Sequence, residues 1–173
     1  MQPIDNAQLK QAIVAFSIQG VERFLQANPG LEFYAFAFDC NAEYGEINLC
    51  LNTEEDFSTT LERYRTEYPD RYQNAEYVRD LRYNTGDWEH QCFDTLHVFT
   101  HEELDAIFRS MPEDDDLSWQ RFVEHLLMLF TEALRDFTQT EAYRNIPKTP
   151  SFMAFCIDHD EDVDAALERM GGR

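Results

Sequence analysis

The chain has 173 residues, of which 34 are acidic and 14 basic, giving a net charge of -20; 43% of it is hydrophobic and 14% aromatic. That is too apolar for a disordered chain and long enough to bury one core without staples, yet no apolar run approaches the roughly 20 residues that span a bilayer. The charge excludes nucleic-acid binding and docking on an anionic membrane, because both require positive surface.

A first helix is expected from Asp5 to Ala27, where Ile13, Val14, Phe16, Ile18, Val21, Phe24 and Leu25 keep an apolar face until Asn28-Pro29-Gly30 stops it. Residues 31–40 are short and aromatic, which predicts a strand buried on both faces, with Tyr34, Phe36 and Phe38 on one and Phe33, Ala35 and Ala37 on the other. A hairpin connection leads to residues 45–51, where Ile47, Leu49 and Leu51 alternate with Asn48 and Cys50. Thr53 then caps a helix that runs to Tyr68, ahead of Pro69. Between 70 and 101 the signals weaken: Leu81–Asn84 reads as a strand, Gly86 as a turn, and Trp88–Phe93 as another strand or an irregular piece.

Thr100 opens a short helix to Met111, and an acidic loop leads into a long helix over 117–144. A last strand is expected at 152–158, after Pro147 and Pro150, and a closing helix over 160–170. The fold class is α+β: a single domain over 1–173, with an antiparallel sheet of residues 31–40, 45–51 and 151–158 covered mainly by the first and the long helix. Phe36, Phe38, Leu49, Phe122, Leu126, Phe130 and Phe155 are expected in its core.

Little of this sequence spells out chemistry. Cys40, Cys50, Cys92 and Cys156 form no CxxC pair and no Cys/His cluster at zinc-finger spacing, so all four are read as free thiols that pack as small hydrophobes. The Met1–Asp5 opening has no basic segment followed by an apolar stretch, and a cytoplasmic protein is expected. His97 and His101 lack the HExxH pattern of a zinc protease, and a helix start falls between them. Asp158, Asp160 and Asp162 have calcium-loop spacing, but Val163 and Arg169 stand where that loop needs Gly and Glu, so they read as helix-capping acids. There is no nucleophile elbow, P-loop or dinucleotide fingerprint. Catalytic residues, metal ligands and cofactors are all expected to be none.

The charge carries the functional argument. Its size is well beyond the roughly 2–8 charges that solubility asks for, and an acidic surface steers a basic partner. The densest runs are Glu113, Asp114, Asp115 and Asp116, then Asp158, Asp160, Glu161 and Asp162, and these are the expected partner contacts. Residues 63–82 contrast with them, holding Arg63, Arg65, Arg71, Arg79 and Arg82 together with Tyr64, Tyr68, Tyr72 and Tyr77. Tyr and Arg anchor interfaces, but tyrosines four apart also suit a helix packed on a sheet, and that reading comes first.

Several short segments occur together: Glu32-Phe33-Tyr34-Ala35-Phe36, Leu51-Asn52-Thr53-Glu54-Glu55, Asp87-Trp88, Ala133-Leu134 and Phe155-Cys156-Ile157-Asp158-His159-Asp160. In this combination the chain resembles the bacterial domain of unknown function family 4303. The resemblance carries no catalytic residues; it implies kinship with immunity proteins, which neutralise a toxin by binding it. The function expected is therefore stoichiometric binding of a basic toxin domain, nucleases being natural candidates because their substrate-binding surface is positive. An enzyme of unknown reaction and a housekeeping protein whose acidity only keeps it soluble are the alternatives.

Overall fold

The computed structural model describes residues 5–111 and 116–171. Helix α1, Asn6–Ala27, starts where the Asp5 carboxylate accepts hydrogen bonds from the Ala7 and Gln8 amides. Strands β1 (Phe33–Asn41) and β2 (Glu46–Thr53) form the expected hairpin, turned by a 3-10 segment, Ala42–Tyr44, and by Gly45 at φ 63°. Thr53 caps α2, Glu54–Glu67, by accepting from the Asp56 amide.

The strand expected at Leu81–Asn84 is instead the end of helix α3, Ala75–Tyr83, whose first turn Asn74 caps. Val78 and Leu81, three residues apart, face the protein, and that spacing is too brief to declare a period in the sequence. Beyond a 3-10 turn at Thr85–Asp87 comes β3, His90–His97. Helix α4, His101–Arg109, opens with a reciprocal capping box between Thr100 and Glu103. Helix α5 covers Asp116–Thr138, and the helix expected to reach 144 breaks there. Thr140 accepts from the Tyr143 amide and so starts a separate short helix, α6, Glu141–Arg144. Strand β4 (Lys148–Asp158) and helix α7 (Val163–Arg169) complete the chain.

The sheet order is β3-β2-β1-β4. Strand β2 is antiparallel to β1 and β3, but β4 is parallel to β1, so the sheet is mixed rather than antiparallel throughout. The α+β class stands. Parallel neighbours need a long crossover, and here the chain between β1 and β4 includes α5 and α6. Because β4 is an edge strand, Pro150 can sit inside it instead of preceding it.

Both faces of the sheet are covered. On one, α1 and α5 pack Ile13, Val21, Leu126, Phe130 and Phe137 with Phe36, Phe38 and Leu49. On the other, α2, α3 and α7 bury Phe57, Leu61, Leu81 and Ala166 with Ala35, Ala37 and Phe155. Cover by the first and the long helix is therefore only half the arrangement. A register shift between Phe33 and Ala35 breaks the alternation of β1. It leaves Phe33 with Phe36 and Phe38 and sends Tyr34 to the opposite face, beside Ala35 and Ala37, the reverse of the expected assignment. Phe122 is only half-buried, because the rings against it, Phe99 and Trp119, are themselves partly exposed. Gly20 lets α1 close onto the sheet; a Cβ there would lie 2.7 Å from Leu49 Cδ1 and 2.9 Å from Asp94 Oδ2. Among the described residues, no helix is long and apolar enough to cross a membrane.

Candidate functional site

The parallel strands β1 and β4 end side by side, and there the chain leaves the sheet into the 3-10 turn after β1 and the loop before α7. A cleft of about 660 Å³ opens at this end. One wall is Arg71, Tyr72, α3 and the 3-10 turn at Thr85–Asp87; the other is the Asp158–Val163 connection; Asp39, Asn48 and Cys92 lie between them. Crevices at the carboxyl ends of parallel strands are common binding places, because diverging loops leave space there.

The first wall is fixed from below by buried polar contacts. The Arg82 carbonyl accepts from Tyr34 Oη at 2.6 Å and from Trp88 Nε1 at 2.9 Å. Asn52 Nδ2 donates to Tyr34 Oη at 3.0 Å, while the Arg82 guanidinium lies 3.9 Å from the Tyr34 ring and pairs with Glu54. Burial pushes the Tyr34 hydroxyl well above its ordinary pKa, so it acts as a fixed donor. Tyr64 donates to Asp87 at 2.6 Å, and that bond pushes its own pKa up to about 12. The Tyr/Arg window is thus largely a packed wall. Tyr72 is buried and Arg79 pairs with Asp164, whereas Arg71 and Tyr77 face the cleft.

Among the described residues, seven carboxylates line this space, Asp39, Glu46, Asp80, Asp87, Asp158, Glu161 and Asp162, with Arg71 as the one arginine. Three of the expected contact residues are therefore here, but they differ in freedom. The Asp158 carboxylate accepts from the Ala42 amide at 3.0 Å, and Glu161 is held by Arg169. Asp162 caps α7 through the Asp164 amide at 2.7 Å and is otherwise exposed. Asp160 lies in an adjoining groove with Trp119 and Gln120 of α5. Glu113, Asp114 and Asp115 lie outside the described residues; Asp116 begins α5, less than one turn before Trp119. His97 pairs with Glu46 at 3.0 Å, and His101 is the first residue of α4, so the two serve separate elements.

The floor of the cleft holds what the sequence did not reveal. Asp39 is half-buried and its Oδ2 accepts from Thr85 Oγ1 at 3.0 Å. Burial pushes its carboxyl pKa up, while Thr85 and His159 favour the charged form. Cys92 is exposed, not packed as expected, and has φ 47°. The bond from the Cys50 thiol holds Cys92 below its ordinary pKa, whereas that same bond and burial raise Cys50. Cys40 and Cys156 are buried with their sulfurs 3.6 Å apart, and burial raises Cys40. All four thiols are free. Spacing could not show the floor, since its residues come from three strands and meet only through sheet register.

Asp39→Asn is expected to raise the thermal midpoint at neutral pH. The folded chain protonates Asp39 at a higher pH than the unfolded chain, so stability falls as pH rises from the ordinary aspartate range through the raised value. Above that window the buried charge is a constant cost, which Asn removes. Thermal scans across pH should show the advantage vanish in acid below the ordinary aspartate range; an Asn variant less stable at neutral pH would contradict the assignment.

A family model described as a domain of unknown function, DUF4303, matches residues 10–171. No curated protein and no solved structure matches the chain.

Proposed function

This chain belongs to the DUF4303 family, and we propose that it is a cytoplasmic protein-binding module whose acidic cleft receives a cationic segment of another protein, in the manner of an immunity protein that neutralises a basic toxin. The observation that carries this reading is the convergence of seven carboxylates and a single arginine on one open cleft. Unlike-charge surfaces speed encounter and fix register, and a partner's Lys or Arg side chains would find acceptors there. Tyr77, 40% exposed at the rim, supplies an aromatic contact of the kind that anchors interfaces. Asp160 adds a further carboxylate in the adjoining groove, which α5 borders through Trp119 and Gln120.

The test is association kinetics with the partner recovered from the native organism, at two salt concentrations. Association is expected to slow as salt rises, because screening shortens the reach of the attraction. The pair Asp80→Asn and Asp162→Asn should slow it further, up to about tenfold, the low end of what steering supplies. Asn retains the cap at 162 and Asp80 is exposed, so the unfolding midpoint should hardly move. Neutralising 113–116 is the second arm. A rate indifferent to salt and to both sets of substitutions would remove the reading.

An enzyme of unknown reaction is the second reading, favoured by the half-buried Asp39 beside an exposed Cys92 in a cleft, since perturbed titratable groups gather at catalytic sites.

A further inference from the structure

Asp39, Cys50 and Cys92 bring one carboxylate oxygen and two sulfurs within 4.8 Å of one another. We propose that these three side chains bind a single thiophilic divalent cation of the zinc class, with the fourth coordination position open to the cleft. The site is independent of what partner the cleft receives.

Three features of the sheet build it. Asp39 pairs with Asn48 and Ala37 with Cys50 across the β1–β2 ladder, so Asp39 and Cys50 share a face. On the next strand Leu49 pairs with Asp94 but Leu51 with His90, so β3 carries two residues more than a regular ladder would between those pairs. Cys92 lies in that bulge at φ 47°, a region that non-glycine residues enter at a cost and that recurs at functional sites. The bulge also carries the Cys92 amide to Cys50 Sγ, to which it donates at 3.2 Å. Amide donation to sulfur stabilises a thiolate, and Thr85 orients the Asp39 carboxylate in the way outer-shell donors orient metal ligands.

The donor set selects the cation. Two thiolates and a carboxylate favour zinc over magnesium or calcium, which take oxygen. Zinc bonds of about 2.0–2.3 Å need ligand atoms roughly 3.5–4 Å apart, so closure is a matter of side-chain rotation. Three protein ligands with one open position is the arrangement that leaves zinc able to bind a water or a substrate group. The surrounding carboxylates raise the local cation concentration. The buried pair Cys40 and Cys156 has no third ligand grouped with it among the described residues, and it serves as the control.

The experiment is an anaerobic titration of the reduced protein with cobalt(II) alone. A thiolate-to-metal charge-transfer band and tetrahedral visible absorption should saturate at one cobalt per chain and disappear on adding zinc. Cys92→Ser and Asp39→Asn should each weaken binding by at least about tenfold, since even outer-shell losses cost 10–100-fold. Cys92 is exposed and Asn keeps the size and shape of Asp39, so folding, followed by circular dichroism, should persist where Cys50→Ser could disturb it. Cys40→Ala should leave the titration unchanged. The proposal fails if no charge-transfer band develops at saturating cobalt, or if the band survives Cys92→Ser. It fails equally if Cys50 and Cys92 close to a disulfide in preference to the metal complex when both oxygen and cobalt are present.

Discussion

Phe130→Ala is expected to remove about 3–5 kcal/mol of unfolding free energy, the range for truncating a buried aromatic side chain. Phe130 is fully buried on α5, in the cluster that joins α1, α5 and one face of the sheet. Those three elements are rigid neighbours, so the space left by the ring cannot close, and the loss includes a cavity as well as the transfer term. In a chain of this size such a loss lowers the melting midpoint by roughly 10 °C. Phe122, two turns earlier on the same helix and half-buried, provides the comparison: its truncation should cost clearly less. A denaturant titration of the two variants decides the matter. Equal losses, or a loss near zero at Phe130, would mean that the helix presents a different face to the sheet.

That contrast also shows what the sequence could reveal. The expected core put Phe122, Leu126 and Phe130 on one face of the long helix, and the structure buries the last two. Helical spacing could not show where that face ceases to have a sheet beneath it, so Phe122 looked equivalent. The strands expected at 31–40, 45–51 and 152–158 are present at 33–41, 46–53 and 148–158, because apolar runs bounded by turn residues have few other outcomes. Strand direction was not. Nothing in the pattern of residues 152–158 distinguishes a parallel from an antiparallel neighbour; the crossover through α5 and α6 decides it. The register shift after Phe33, present against both β2 and β4, was equally invisible, and it accompanies the move of Tyr34 to the cleft side. For the candidate site, charge density pointed to Asp158, Glu161 and Asp162, which do line the cleft. It could not show that all three also have work in the fold, nor that Asp39, Cys50 and Cys92 meet, since bulges leave no period behind.

Arg169→Met is expected to destabilise the protein as much as Phe130→Ala, for an electrostatic reason. The Arg169 guanidinium pairs with both oxygens of Glu161, donates to the Cys156 carbonyl at 2.7 Å and to Thr131 Oγ1 at 3.0 Å. The two paired side chains are only 13% and 16% exposed. Glu161 Oε2 in turn accepts from the Asp158 amide at 3.1 Å, so the pair pins the β4–α7 connection that forms one wall of the cleft. Removing the arginine leaves a buried carboxylate without its cation and takes a donor from a carbonyl and a hydroxyl, and breaking a buried pair from one side costs about 3–5 kcal/mol. Replacing both partners by apolar residues should recover much of that loss, because no lone charge then remains buried. The unfolding energies of Arg169→Met, Glu161→Met and the double variant therefore form a cycle with a large coupling term. Near-additive, small effects would place the pair at the surface instead. The cycle also governs how binding experiments are read. A Glu161 substitution that weakens partner binding has two routes to do so, lost contact or a displaced wall, while Asp80 and Asp162 leave the wall intact. Only if Glu161→Gln slows association with the unfolding midpoint unchanged does Glu161 act as a contact.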